Sequence, residues 1–207
     1  MQTYLPHENG YMDHQIKLRL QSVLDIPLWR VEEFLSICKR VIHQKNDLID
    51  AGGRVFDQLG YIVDGAARIF YLNDNGEEMS YLLQVNGDAL GDYQSYLTGQ
   101  PSQVKIEFLL PTEVLYFRKK DIDRLAERDV FWLALTKRIS DLAFIYCKRR
   151  LDELFFYTPE QRYLNLSSKS PEILNKIPQK YISTYLGITP QSLSRIRKRL
   201  AEVDLLT

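Results

Sequence analysis

Cysteine is scarce in this chain of 207 residues: Cys38 and Cys147 are the only two, more than a hundred positions apart. That excludes a disulfide framework and the closely spaced thiolates of zinc or iron–sulfur sites, so both are read as reduced, structural thiols. Histidine is sparse too. His7, His14 and His43 have no spacing that would hold haem or a metal, and each reads as an ordinary surface or packing residue. No run of 18 apolar residues exists, which excludes a membrane-spanning helix. The opening Met1-Gln2-Thr3-Tyr4-Leu5-Pro6-His7 lacks the basic-then-apolar order of an export signal, so the expected location is the cytoplasm. Nucleophile elbow, P-loop, dinucleotide fingerprint and clustered metal ligands are all missing, and no enzyme activity, cofactor or metal is expected.

What remains is an ordinary soluble composition, 45% hydrophobic and 26% charged, enough for one large domain or two small ones. The net charge of zero argues against a general nucleic-acid coat, but it conceals an asymmetry. Between Lys176 and Leu200 stand Lys176, Lys180, Arg195, Arg197, Lys198 and Arg199 with no acidic residue, which leaves 21 basic against 27 acidic residues elsewhere. A basic module sits on an acidic body.

Three textures follow one another. Residues 1–118 begin with helical patches, among them Pro27-Leu28-Trp29-Arg30-Val31-Glu32-Glu33-Phe34-Leu35, with proline in the first turn. They continue as short β-rich runs at Val41–His43, Tyr61–Val63, Ala67–Leu72, Met79–Leu83, Val104–Phe108 and Val114–Phe117, the pattern of a sandwich, roll or barrel. Asn73-Asp74-Asn75-Gly76 is a hairpin signal, because Asn and Gly tolerate the positive φ of tight turns. Residues 119–157 contain neither Gly nor Pro and read as a short helix running into a long one. On the long one, Trp132, Leu135, Ile139, Leu142 and Tyr146 step by three and four like a dimer seam, whereas Phe131, Leu151 and Leu154 are expected to face the chain's own β-region. The alternative is that both stripes are intramolecular core. Residues 158–207 are expected to form a bundle of short helices, opened at Thr158-Pro159, Ser170-Pro171 and Thr189-Pro190 by a hydroxyl cap followed by proline, with Gln161 completing a capping box.

Within that bundle, Gln179–Leu186 predicts a helix with Ile182 and Leu186 on one side, and Gly187 supplies the left-handed position for a sharp turn. A second helix capped by Thr189 would place Leu193, Ile196 and Leu200 on one face and Gln191, Ser194, Arg195 and Lys198 on the other. Arg can pair bidentately with guanine, Gln with adenine, and Ser with either. Thr189 and the free N–H groups at the helix start suit a phosphate, and Lys198, Arg199 and Arg197 would add attraction to the backbone. A solvated basic face on a structural helix is the competing reading.

From Ile177-Pro178-Gln179-Lys180-Tyr181-Ile182 through Leu186-Gly187-Ile188-Thr189 to Arg195-Ile196-Arg197-Lys198-Arg199-Leu200, the sequence resembles the helix-turn-helix of the Crp/Fnr superfamily of bacterial transcription regulators. The resemblance covers nearly the whole chain. It implies an α+β fold: an N-terminal double-stranded β-roll of the cyclic-nucleotide-binding type, a long dimerisation helix and a C-terminal winged-type helix-turn-helix. The chain stops at Thr207, where many members continue into a wing, so that hairpin is expected to be reduced or absent. The implied DNA-binding set is Gln179, Thr189, Gln191, Ser192, Ser194, Arg195, Lys198 and Arg199, with Arg195 the main base reader. Pro190 stands where the family often has an arginine.

The roll departs further from the pattern. Gly87-Asp88-Ala89-Leu90-Gly91-Asp92 stands where the family's phosphate cassette begins, but the glutamate and Arg-Ser pair of nucleotide-binding members are replaced by Asp92, Ser102 and Gln103. A buried phosphate needs a paired cation, and Ser102 offers none. The adenine-contacting hydroxyl pair corresponds to Cys147 and Lys148. Cyclic AMP is therefore not expected to bind. Any other small-molecule effector would be sought around Gly91, Asp92, Tyr93, Ser102, Gln103 and Cys147. The partners implied are double-stranded DNA, a second copy of the chain and RNA polymerase. A ligand-binding or protein-interaction module with a vestigial helix-turn-helix is the alternative function.

Overall fold

Eight strands assemble into two four-stranded antiparallel sheets in the computed structural model, which describes residues 10–204. The opening heptapeptide with His7 lies outside the described residues. One sheet runs β1 (Lys39–His43), β8 (Thr112–Arg118), β3 (Gln58–Asp64), β6 (Ala89–Leu90); the other runs β2 (Leu48–Asp50), β7 (Lys105–Phe108), β4 (Ala66–Leu72), β5 (Glu78–Val85). This is the double-stranded roll. The β4–β5 hairpin turns at Asn73, whose side-chain oxygen accepts from the N–H groups of Asn75 and Glu77 at 3.0 and 2.9 Å. Sequence patterning misses β2 and β6, which at three and two residues are too short to show a period.

Between the sheets lie Ile62, Ile69, Leu90, Ile106, Phe108 and Val114. His43 belongs to this core. Its ring stacks on Phe108 with 3.9 Å between centroids, its Nε2 is 3.0 Å from the Tyr116 hydroxyl, and burial lowers its pKa. It is a neutral packing residue, and His14 is exposed.

A second core joins the roll to the helices α1 (Gly10–Leu24) and α2 (Leu28–Ser36), through Ile16, Leu20, Val31 and Phe34. Pro27 caps α2 from outside instead of entering its first turn. After α3 (Tyr93–Thr98) and β8, α4 (Lys119–Arg128) ends at Asp129, whose Oδ1 accepts from the Phe131 N–H at 2.9 Å and so starts α5 (Val130–Phe156). Asp129 also pairs with the buried Arg30 of α2.

The long helix uses its faces differently from the expected assignment. Trp132 and Leu135 are 1% and 7% exposed and turn inward, with the Trp132 Nε1–H donating to Glu33 at 3.1 Å and the ring stacked on Phe34. Phe131 packs against the same core, as expected, but Leu151 and Leu154 stay exposed. Spacing identifies stripes on a helix; which stripe finds its partner within the chain depends on α1 and α2, whose position the period does not carry.

Among the described residues four helices follow α5: α6 (Pro159–Lys169), α7 (Pro171–Lys176), α8 (Gln179–Leu186) and α9 (Pro190–Asp204). Thr158 and Gln161 form the reciprocal capping box of α6. Ser170 makes no side-chain bond to the start of α7. Among the described residues no strand follows β8.

Candidate nucleic-acid interface

The turn between α8 and α9 is set by Gly187 at φ +68°, with its N–H donating to Thr184 O and the next N–H to Ser183 O. A Cβ there would meet no atom within 4 Å, so the requirement is purely conformational. Thr189 Oγ1 then accepts from the Ser192 N–H at 3.2 Å and caps α9. Leu193 and Ile196, 1% and 8% exposed, fix the inner face of α9, and Leu200 is half-buried behind them.

Gln191, Ser194, Arg195 and Lys198 all point to solvent along the opposite face. Ser192 is half-buried, and its hydroxyl is held 3.0 Å from that of Thr189, which makes it a capping group more than a free reader. Arg199 is engaged by Glu160 at the start of α6. Lys176 is bonded to Asn86 and Glu172, both at 3.0 Å. Arg195, Arg197, Lys198 and Arg199 are all exposed on α9, with Lys198 4.0 Å from Glu202, and Gln179 is exposed at the start of α8. Arg195, Arg199, Thr158 and Glu160 share the wall of one open hollow between α6 and α9.

The other face of the helix-turn-helix is attached to the roll, a contact that sequence reasoning did not find. Tyr181, Ile182, Tyr185 and Leu186 of α8 share a core with Ala66, Leu83, Val85 and Leu109. At its edge lies Arg68 of β4, 2% exposed, bonded to Glu78 and, at 2.6 Å, to Glu107. The guanidinium carbon sits 4.0 Å from the Phe70 ring centre and 3.7 Å from that of Tyr181. The Tyr181 hydroxyl donates to Glu107 at 3.4 Å, and the Thr184 hydroxyl donates to that of Ser80 at 2.8 Å. From α5, Arg150 lies 3.8 Å over the Tyr185 ring and donates to its carbonyl. The readable signal was Arg68, a lone cation in the apolar run Ala66-Ala67-Arg68-Ile69-Phe70.

The residues expected to hold an effector are engaged in different local roles. Gly91 has φ +132°, and a Cβ there would stand 2.9 Å from Leu59 Cδ2. Asp92 caps α3 by accepting from the Ser95 N–H at 3.1 Å. Tyr93 bonds across to Ser140 of α5 at 2.7 Å. Ser102 is 1% exposed, its hydroxyl accepting from the Val104 N–H at 3.2 Å. The neighbouring Arg54 guanidinium is turned to the carbonyls of Asp50 and Ala51. Gln103 and Cys147 are exposed. An edge-on pair of rings, Tyr71 and Tyr81 at 5.6 Å, stands near Asp92 and Cys147; burial, then Cys147, raises the pKa of Tyr81.

No family model matches the chain and no curated protein matches it in sequence. Solved structures do. FixK2 of Bradyrhizobium japonicum superposes with a TM-score of 0.67 at 17% identity, over 81% of this chain and 86% of that one. The c-di-GMP-responsive global regulator CLP of Xanthomonas campestris gives 0.61 at 17%, over 84% and 92%. The catabolite activator protein of Thermus thermophilus gives 0.55 at 19%, over 88% of each chain. The chain shares the fold of these three proteins. At these identities the likeness establishes architecture, namely a roll of antiparallel sheets followed by helices. Among the described residues no helix is long and apolar enough to cross a membrane, and no group of three or more His, Cys, Asp or Glu is placed to hold a metal.

Proposed function

We propose that the chain is a sequence-specific DNA-binding transcription regulator that acts as a homodimer in the cytoplasm, without catalytic activity. The observation that carries this reading is the outward face of α9: Gln191, Ser194, Arg195 and Lys198 stay exposed on a helix locked by Leu193 and Ile196 and entered through a left-handed glycine. Arg195 and Gln191 read base edges, while Thr189 and Lys198 meet the backbone. Two heads on a two-fold axis read half-sites about one helical turn apart. Pairing through α5 is supported by Phe144, Leu151 and Phe155, which share one face of the helix and are 73%, 53% and 78% exposed. RNA polymerase is the further partner this reading implies. The roll takes no cyclic nucleotide, because Ser102 is buried and engaged locally, with no guanidinium directed to it.

Selection of duplexes from a random pool, followed by anisotropy titration, tests the proposal. Arg195→Ala should lower affinity for the selected site by about 5- to 150-fold, the equivalent of ~1–3 kcal/mol, and relax preference at one base pair. Lys198→Ala should weaken all duplexes alike and reduce the salt slope by about 1. Salt-insensitive binding, or none, would favour the protein-interaction alternative.

A further inference from the structure

From Lys176 to Leu200 the sequence has no acidic residue, but in space that stretch is not free of acid. Glu160 reaches it from the first turn of α6 and pairs with Arg199 of α9, across 39 residues of sequence. Arg195, one turn before Arg199, shares with Glu160 the wall of the hollow between α6 and α9. At 100° per residue Arg199 and Lys198 fall about 40° and 60° to either side of Arg195, so Arg199 flanks the outward stripe of α9.

The start of α6 fixes where Glu160 stands. Pro159 occupies the first turn, the Thr158 hydroxyl accepts from the Gln161 N–H at 3.3 Å, and Gln161 Oε1 accepts from the Thr158 N–H at 2.9 Å. An acid in a first turn is favoured by the helix dipole, which accounts for its presence there. The dipole does not account for its partner, a cation on the helix that carries Gln191, Ser194 and Arg195. The side chains of Arg199 and Glu160 are 60% and 33% exposed. A pair this open is weak, whereas a guanidinium takes a phosphate bidentately, so a duplex lying along α9 contends with Glu160 for Arg199. The carboxylate left behind then repels the phosphates that Arg199 meets.

We infer that Glu160 competes with the DNA backbone for Arg199 and so limits the affinity of the helix-turn-helix for every duplex. The inference rests on the DNA-binding reading and adds to it a residue that opposes binding.

Anisotropy titrations of the full-length protein over a range of salt, with the selected duplex and a scrambled one, test it. Glu160→Gln should bind both duplexes about two- to fivefold more tightly, and its salt slope should steepen by about 1. Glu160→Asp keeps the charge and should keep the original slope. Arg199→Gln should cost more affinity in the Glu160→Gln background than alone, because only there is the guanidinium free for phosphate throughout. A tie that merely holds α6 to α9 predicts the opposite sign, since its loss would lower the melting temperature and weaken binding. Unchanged or weaker binding by Glu160→Gln, or an unchanged slope, overturns the inference, and salt-dependent binding by the unaltered protein then leaves the DNA-binding reading standing. Absence of any binding by the unaltered protein removes both.

Discussion

Removing the guanidinium of Arg68 should destabilise the chain and loosen the helix-turn-helix from the roll. In Arg68→Met the Glu78 carboxylate, 47% exposed, returns to water at little cost, but that of Glu107 is 18% exposed and loses the cation bonded to it at 2.6 Å. Breaking a buried pair from one side costs ~3–5 kcal/mol, mostly through the charge left behind, and the lost ring contacts with Phe70 and Tyr181 add up to ~2 kcal/mol. Retained hydrophobic volume and the exposed Glu78 place the net near ~3 kcal/mol. For a chain of this size that shifts the melting temperature by roughly 6–12 °C. Adding Glu107→Gln removes the abandoned charge and should recover about half of the loss. Hydrogen exchange supplies the local readout: amides of α8 from Ile182 to Leu186 should exchange faster, while those of β3 and β8 keep their protection. A melting shift below ~2 °C, or an α8 exchange rate unchanged in the single variant, would refute the clamp.

Gly187→Ala introduces a side chain at φ +68° without any steric contact, so calorimetry should show a purely conformational loss of ~1–2 kcal/mol. Asp88 is pushed up to about 6, first by burial and then by Glu172, against the Val85 N–H bond that favours its ionised form. A raised acid pKa means that stability present below the unfolded value near 4 is lost as pH rises to about 6, an effect of ~3 kcal/mol that Asp88→Asn should abolish in paired melts at pH 4 and 7. Phe144→Asp on the exposed face of α5 should convert a dimer to a monomer in sedimentation without lowering secondary structure, and an unchanged mass would remove α5 from the interface.

Local chemistry was readable wherever a few neighbouring residues decide the outcome. The capping box at Thr158 and Gln161, the left-handed Gly187 and the inward Leu193 and Ile196 all follow from short-range geometry, and the sequence conveys each in full. The roll was legible as a class because six of its strands carry enough β-branched and aromatic residues. Contacts between distant segments were not. Trp132 looks like the first residue of an outward seam until α2 brings Phe34 and Glu33 to it across almost a hundred residues. Tyr181 likewise looks like a residue of the C-terminal helix bundle alone, and only the fold reveals that Arg68 and Glu107 hold it.

The core shared by α8 and β5 bears on how the chain can be taken apart. A fragment beginning at Thr158 would carry α8 and α9 yet expose Tyr181, Ile182, Tyr185 and Leu186 to water where Leu83 and Val85 now cover them. The matching cut would strip the roll of the same cover. The helix-turn-helix and the roll beneath it are therefore not interchangeable modules. A head grafted from another protein of the same fold would have to bring its own counterpart of Tyr181, shaped to the Arg68 pocket, before it could sit on this roll.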